Sequence, residues 1–151
     1  MRFRIEFIAK DEEEEIVIRC HTLDENIKEY CSTIEQLIDN SPVIVYYKDE
    51  QEFYFSSEQI LFFETDGKTV YAHTKNDSFR VNYRLYQLET VLPNTFLRIS
   101  KSSIVNLGQI LSLSKTLGQS LSVAFVNSHK QVYASKLYIK PLKEALSQRR
   151  R

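Results

Sequence analysis

At 151 residues, 42% hydrophobic and 26% charged, the chain has the size and make-up of one globular domain, or of one domain with a small appendage, and a core of that size needs no disulfide or metal staple. No stretch approaches the roughly 20 apolar residues of a membrane span, the N-terminal MRFRIEFIAKDEEEE lacks the apolar region of a signal peptide, and Cys20 and Cys31 read as two free thiols of a reducing cytoplasm. The net charge of zero hides an asymmetry: residues 1–50 hold 6 Lys+Arg against 13 Asp+Glu, residues 51–151 hold 14 against 7, and residues 91–151 hold 10 against the single Glu144, which points the basic half at a polyanionic partner.

Nine Tyr and nine Phe against three Gly and three Pro favour a strand-rich fold. In RFRIEFI (2–8), Phe3, Ile5 and Phe7 alternate with Arg2, Arg4 and Glu6, which predicts a half-buried strand. DEEEE (11–15) reads as a charged turn and IVIRC (16–20) as the returning strand of a hairpin. Over 23–40 the period changes. Ile27, Tyr30, Cys31, Ile34, Leu37 and Ile38 recur at helical spacing, with Asp24 placed to cap. A second hairpin follows, 42–48 with 52–56, turning around Lys48–Gln51. Strands are expected at 59–64, 69–74 and 78–82, the first two joined by a turn at Asp66-Gly67. Leu85, Leu88 and Leu92 return to helical spacing, which Pro93 ends. Short strands are then expected at 95–100, 109–114, 120–126 and 131–135. Ser135 is placed to cap a final helix in which Pro141 must lie in the first turn or kink the chain.

Catalytic patterns are missing. His21, His73 and His129 lie in no nucleophile elbow or Cys/His signature, and Cys20-His21 with Cys31 makes no closed four-ligand set. The run Glu12–Glu15 reads as a solvated turn, and three glycines leave little room for a Walker or Rossmann loop. No enzymatic activity, metal or cofactor is expected. The basic segments carry more. SKSS (100–103) supplies a cation with hydroxyls, and ASKLYIK (134–140) repeats the recipe at a helix start, the donor types that phosphate oxygens accept. No ribonucleoprotein, helix-turn-helix, zinc-finger or basic-zipper spacing is present, so a DNA binder of this make-up would read through loops and strand ends.

QILFFETDGKTVYAHT, YRLYQLETVLPNTFLRISKSSIVNLGQI and QVYASKLYIKPLKEAL, in that order, resemble the LytTR family of bacterial DNA-binding domains over roughly residues 52–147. The most specific part is the core F-x-R-I-x-[KR]-S-x-x-V-N, matched by Phe96, Arg98, Ile99, Lys101, Ser102, Val105 and Asn106. The resemblance implies an elongated β-rich fold whose loops, rather than a recognition helix, enter successive major grooves. It also implies DNA contacts in three places: Lys68–Val70, Lys101 with Ser102, and Ser135–Lys136 with Leu137. Arg98 and Asn106 either join them or orient the loop. The family's frequent His is Ser100 here and its frequent Arg is Lys136, a point charge where arginine would offer guanine a planar fork. The first 50 residues are too short for the phospho-receiver that many members carry. The chain resembles instead the stand-alone type, often encoded with a small membrane protein that restrains it.

These readings combine into one expectation. The fold is α+β, mostly β, with LytTR-type antiparallel sheets, short helices and a small N-terminal β-α-β-β segment. Residues 1–50 form an acidic dimerisation or docking segment, and residues 51–151 the DNA-binding domain. The chain is a cytoplasmic bacterial transcription regulator that binds specific double-stranded DNA, as a homodimer. Lys101 and Lys136 are the expected base contacts, and Ser102, Ser135, Lys140 and Lys68 the phosphate contacts. Val70, Arg98 and Leu137 stand beside them. The alternative is a non-catalytic protein–protein module whose acidic and basic halves meet head to tail.

Overall fold

Ile60, Leu61, Phe62 and Phe63 are all buried. Successive strand side chains point to opposite faces, so such a run requires protein on both sides of a sheet. The computed structural model, which describes residues 1–38 and 43–149, meets that requirement with two cores. The chain divides into two units, Met1–Asn40 and Ser41–Arg151.

In the first unit the regular element is helix α1 (Glu25–Ile38), whose start is capped by Asp24 Oδ1 accepting the Ile27 N–H at 2.9 Å. Residues 39 and 40 of the expected helix lie outside the described residues. The strands expected at 2–8 and 16–20 are not formed. Glu12 N–H donates to Ala9 O at 3.1 Å in a turn, but no ladder joins the two segments among the described residues. Alternation predicts which way side chains point along an extended chain. It does not supply the neighbour that makes the chain a strand, and two strands alone are marginal in water.

Among the described residues the larger unit contains ten strands: β1 (Tyr46–Lys48), β2 (Gln51–Phe53), β3 (Phe62–Asp66), β4 (Thr69–His73), β5 (Ser78–Val81), β6 (Phe96–Ser100), β7 (Ser103–Asn106), β8 (Ile110–Lys115), β9 (Leu121–Phe125) and β10 (Gln131–Ala134). Helix α2 (Leu85–Val91) follows β5, and α3 (Lys136–Gln148) follows β10. The strands form two antiparallel sheets, one of seven in the order β2-β1-β5-β4-β3-β7-β6 and one of three in the order β10-β9-β8. The fold is therefore α+β and mostly β. The β1–β2 hairpin turns through Asp49 and Glu50, both left-handed (φ 51° and 63°), as a two-residue type I′ turn requires. Because Tyr47 of β1 also pairs with Arg80 of β5, this hairpin is the edge of the large sheet and not an extension of the N-terminal segment. Pro42, the first residue expected in it, lies outside the described residues.

Phe63, Val70, Ala72, Phe79, Val81 and Ile104 face α2, whose Leu85 and Leu88 close one core. Phe62 and Val105, from the other face, pack with Val123, Phe125, Val132 and with Leu142 of α3 in the second. Pro141 lies in the second turn of α3, where its missing N–H leaves the Leu137 carbonyl without the usual helical donor. Strand β7, SIVN, was not expected as a strand of its own, yet every one of its residues is buried. Its Asn106 is a staple: Nδ2 donates to Ile60 O at 2.9 Å, and Oδ1 accepts the Gly108 N–H at 3.1 Å.

At one end of the large sheet the β9–β10 turn is clasped to the β4–β5 turn. Ser128 Oγ donates to Lys75 O at 3.0 Å, and Lys130 Nζ reaches both the Asp77 carbonyl and, at 3.4 Å, His73 Nδ1. His73 stacks on Phe62 with ring centroids 4.3 Å apart. Burial first, then the Lys130 charge, push the imidazole down to about 4, so a neutral ring accepts from the ammonium.

Asn106→Ala leaves the buried Ile60 carbonyl without its side-chain donor, and urea denaturation should show a loss of about 1–3 kcal/mol. The depressed His73 also fixes a pH dependence. Between its ordinary value of 6.5 and about 4 the unfolded chain binds a proton that the folded one refuses. Stability should therefore be complete above that window and fall as pH drops through it, and His73→Gln should flatten this part of the urea-midpoint profile.

Candidate nucleic-acid interface

Opposite the His73 clasp, three connections meet at one end of the large sheet. β3 and β4 pair from Phe62↔His73 to Asp66↔Thr69, so their turn, Gly67-Lys68, lies at the far end from His73. Gly67 is left-handed (φ 63°) at the first loop position, where a type II′ turn demands glycine. β3 also pairs with β7, Glu64 facing Ser103, which brings the β6–β7 turn of Lys101-Ser102 to the same end. Thr65 N–H donates to Ser102 O at 2.9 Å and ties that turn to the end of β3. The third connection, from β10 into α3, is fixed to β6 by the Ser135 N–H donating to Ile99 O at 2.9 Å.

The β6–β7 turn is built from within. A register shift between Arg98 and Ser100 bends β6 as it enters the turn. Arg98 reaches along the bend: Nε donates to Ser100 O at 2.7 Å, Nη2 donates to Lys101 O, and Nη1 lies 3.4 Å from Glu89 Oε1 on α2. Its guanidinium is thus occupied by two carbonyls of the turn and one carboxylate. Ser100 is occupied as well, its Oγ accepting the Ser102 N–H at 3.2 Å. Lys101 and Ser102 are left exposed at the tip.

At the start of α3, Ser135 stands at the N-cap position without a side-chain cap bond, so its hydroxyl and the amides of the first turn are free of one another. Lys136, Lys140 and Lys143 follow at i, i+4 and i+7 on the exposed side, while Ile139, Leu142, Ala145 and Leu146 pack inward. Leu137 is 86% exposed beside Lys136, a large apolar side chain with nothing to cover it among the described residues. None of Lys68, Lys101, Lys136 and Lys140 makes an ion pair with a described residue. Glu64, which faces Ser103 across the β3–β7 pair, accepts from Ser103 Oγ at 3.2 Å.

The structure therefore gathers Lys68, Lys101, Ser102, Ser135, Lys136 and Leu137 at one end of the sheet, and extends the cationic surface along α3 to Lys140. Val70 is a correction. It is buried in the α2 core, on the inward face of β4, and offers a ligand no side-chain surface. Lys115 was passed over in the sequence. Leu121 pairs with both Lys115 and Ala134, so the β8–β9 turn after Lys115 lies at the end of its sheet where the chain enters α3. A lone lysine in a polar turn gave no signal of this, because the pairing that places it is set by β10. Among the described residues no three His, Cys, Asp or Glu side chains gather as a metal site, and no helix is long and apolar enough to cross a membrane.

The LytTr DNA-binding domain family matches residues 50–147. A Staphylococcus aureus protein (strain NCTC 8325 / PS 47) named as an uncharacterized HTH-type transcriptional regulator is 31% identical over 147 residues, covering 97% of this chain and 99% of the relative. Its counterpart in strain MRSA252 is 30% identical over the same length. Those names refer to a helix-turn-helix. Here strands separate the three helices, and among the described residues no two are joined by a short turn. A solved LytTr DNA-binding domain from Bacillus cereus superposes with a TM-score of 0.62 at 20% identity, covering 70% of this chain and 97% of that one, and so shares the fold. The surface described above is thus the end of a domain of known type: the chain belongs to the LytTR family of DNA-binding domains.

Proposed function

We propose that this chain is a cytoplasmic bacterial regulator that recognises specific duplex sequences by inserting loops into the major groove, as a dimer on repeated half-sites. One observation carries the reading: three separate connections bring lysines that make no ion pair with a described residue, together with Ser102 and Ser135, to a single end of the sheet, held there by the Thr65–Ser102 and Ser135–Ile99 backbone bonds. In this reading Lys101 and Lys136 donate to base edges, guanine O6 and N7 being the acceptors that suit an ammonium. Ser102, Ser135, Lys68 and Lys140 hold phosphate oxygens, helped by the free amides at the start of α3. Leu137 gives an apolar contact of the kind that a thymine methyl accepts. Arg98 acts one step back, holding the turn that aims Lys101.

The roles separate experimentally. Selection from random duplexes at near-physiological salt should enrich a repeated motif, and Lys101→Ala or Lys136→Ala should each cost roughly 1–3 kcal/mol on that motif and relax the preference at one position. Lys140→Ala should weaken all sequences alike and flatten the slope of log affinity against log salt by about one. Arg98→Ala should lower affinity and leave the slope unchanged, since its charge neutralises a carboxylate and not a phosphate. Sequence-blind binding that both Lys101→Ala and Lys136→Ala retain would contradict the assignment.

A further inference from the structure

The first unit carries large apolar side chains that its own described residues do not bury. Phe3 is 90% exposed, Ile5 69% and Phe7 98%, three side chains that cost free energy in water. They alternate in sequence with Arg2, Arg4 and Glu6, and Arg4 Nη2 lies 2.6 Å from Glu6 Oε1, which places those two together. A segment whose apolar and charged residues alternate, with no ladder partner among the described residues, has the pattern of a strand that can pair with another strand.

We infer that residues 2–8 form a homodimerisation strand, pairing antiparallel with the same residues of a second copy of this chain about a two-fold axis at Ile5. The sequence specifies that register. Opposed residues in an antiparallel pair share a face, so any register centred between two residues sets an apolar side chain against a charged one. Centring on Arg4 or on Glu6 opposes like charges at the axis, and centring on Phe3 opposes Arg2 to Arg4. Centring on Ile5 sets Phe3 against the second copy's Phe7, Ile5 against Ile5, and Arg4 against the second copy's Glu6, twice over by symmetry. One face of the pair is then a row of six apolar side chains, and the other carries two opposite-charge pairs with Arg2 opposite Ile8 at each end.

Two features of the same unit fit this occupant. Antiparallel pairing carries the two acidic runs, residues 11–15 of each copy, to opposite ends of the paired strands. A strand of this length spans about 23 Å, which exceeds the screening length of roughly 8–10 Å. The apolar row needs a second layer, and α1 offers one: Tyr30, Leu37 and Ile38 lie exposed on its apolar stripe. Two strands with a helix from each copy make the smallest arrangement that buries both apolar faces.

The inference deepens the dimeric part of the function proposed above, and it is tested without DNA, so its failure would leave DNA binding by the larger unit standing. Sedimentation of the full chain should show a dimer. Arg4→Glu and Glu6→Arg should each raise the dimer dissociation constant about tenfold or more, by setting like charges against one another. The double variant Arg4→Glu/Glu6→Arg should restore it to near the original value, because the swapped pairs again oppose unlike charges. Phe7→Ser should dissociate the dimer while the urea unfolding of the chain otherwise persists. A monomer at the highest soluble concentration, single charge reversals without effect, or a double reversal that fails to recover would each overturn the proposal.

Discussion

The pairing of β3 with β7 is the constraint on which both cores and the lysine-bearing end of the sheet depend. Its first two rungs, Phe62↔Val105 and Phe63↔Ile104, send one large side chain to each face, and each face builds a core around it. The third rung, Glu64↔Ser103, is polar and marks where the core stops. Because the strands run in opposite directions, the end of β3 and the start of β7 coincide, so the β3–β4 and β6–β7 turns must emerge together. A slip of one residue would exchange Phe62 with Phe63 between cores and carry both turns out of place.

Beyond that rung, positioning and contact are divided between different residues. Arg98 and Ser100 spend their polar groups on the backbone of their own turn, Arg98 also on Glu89, and Asn106 spends its amide on the Ile60 carbonyl and the Gly108 N–H. The lysines at the tips have no such duty. This division suits a surface that must present charge to a polyanion: the groups that fix geometry are already satisfied, and those left free carry charge on flexible stems. The opposite end of the sheet shows the contrast, since Lys130 is there consumed by His73 and the Asp77 carbonyl, and burial lowers its own basicity.

Much of this was legible in the sequence, for physical reasons that can be named. The glycine at 67 between two aromatic runs marked the β3–β4 hairpin, whose turn is Gly67-Lys68 and not the expected Asp66-Gly67, and Leu85 with Leu88 marked α2, because glycine and helical spacing act locally. Strand β7 was not legible. Two apolar residues between Ser103 and Asn106 look like a turn until β3 and β6 flank them. Val70 could have been set aside from the alternation of β4, where Val70 and Ala72 share the inward face. The division of labour between Arg98 and Lys101 was beyond reach, since both are cations in one motif and only the bulge in β6 decides which of them turns inward. The alternation at 2–8 wrongly supplied that segment with a neighbour from the same chain, and its residues are all exposed where a half-buried strand was expected.

The central claim is that one end of the sheet, and not the other, meets DNA. Amide hydrogen exchange of the full chain, with and without a selected duplex, tests it directly. The account predicts added protection at residues 67–69, 100–103 and 135–138 on binding, with the amides at 74–77 and 126–130 unchanged. Protection confined to 74–77 and 126–130, or to residues 1–38, would contradict it.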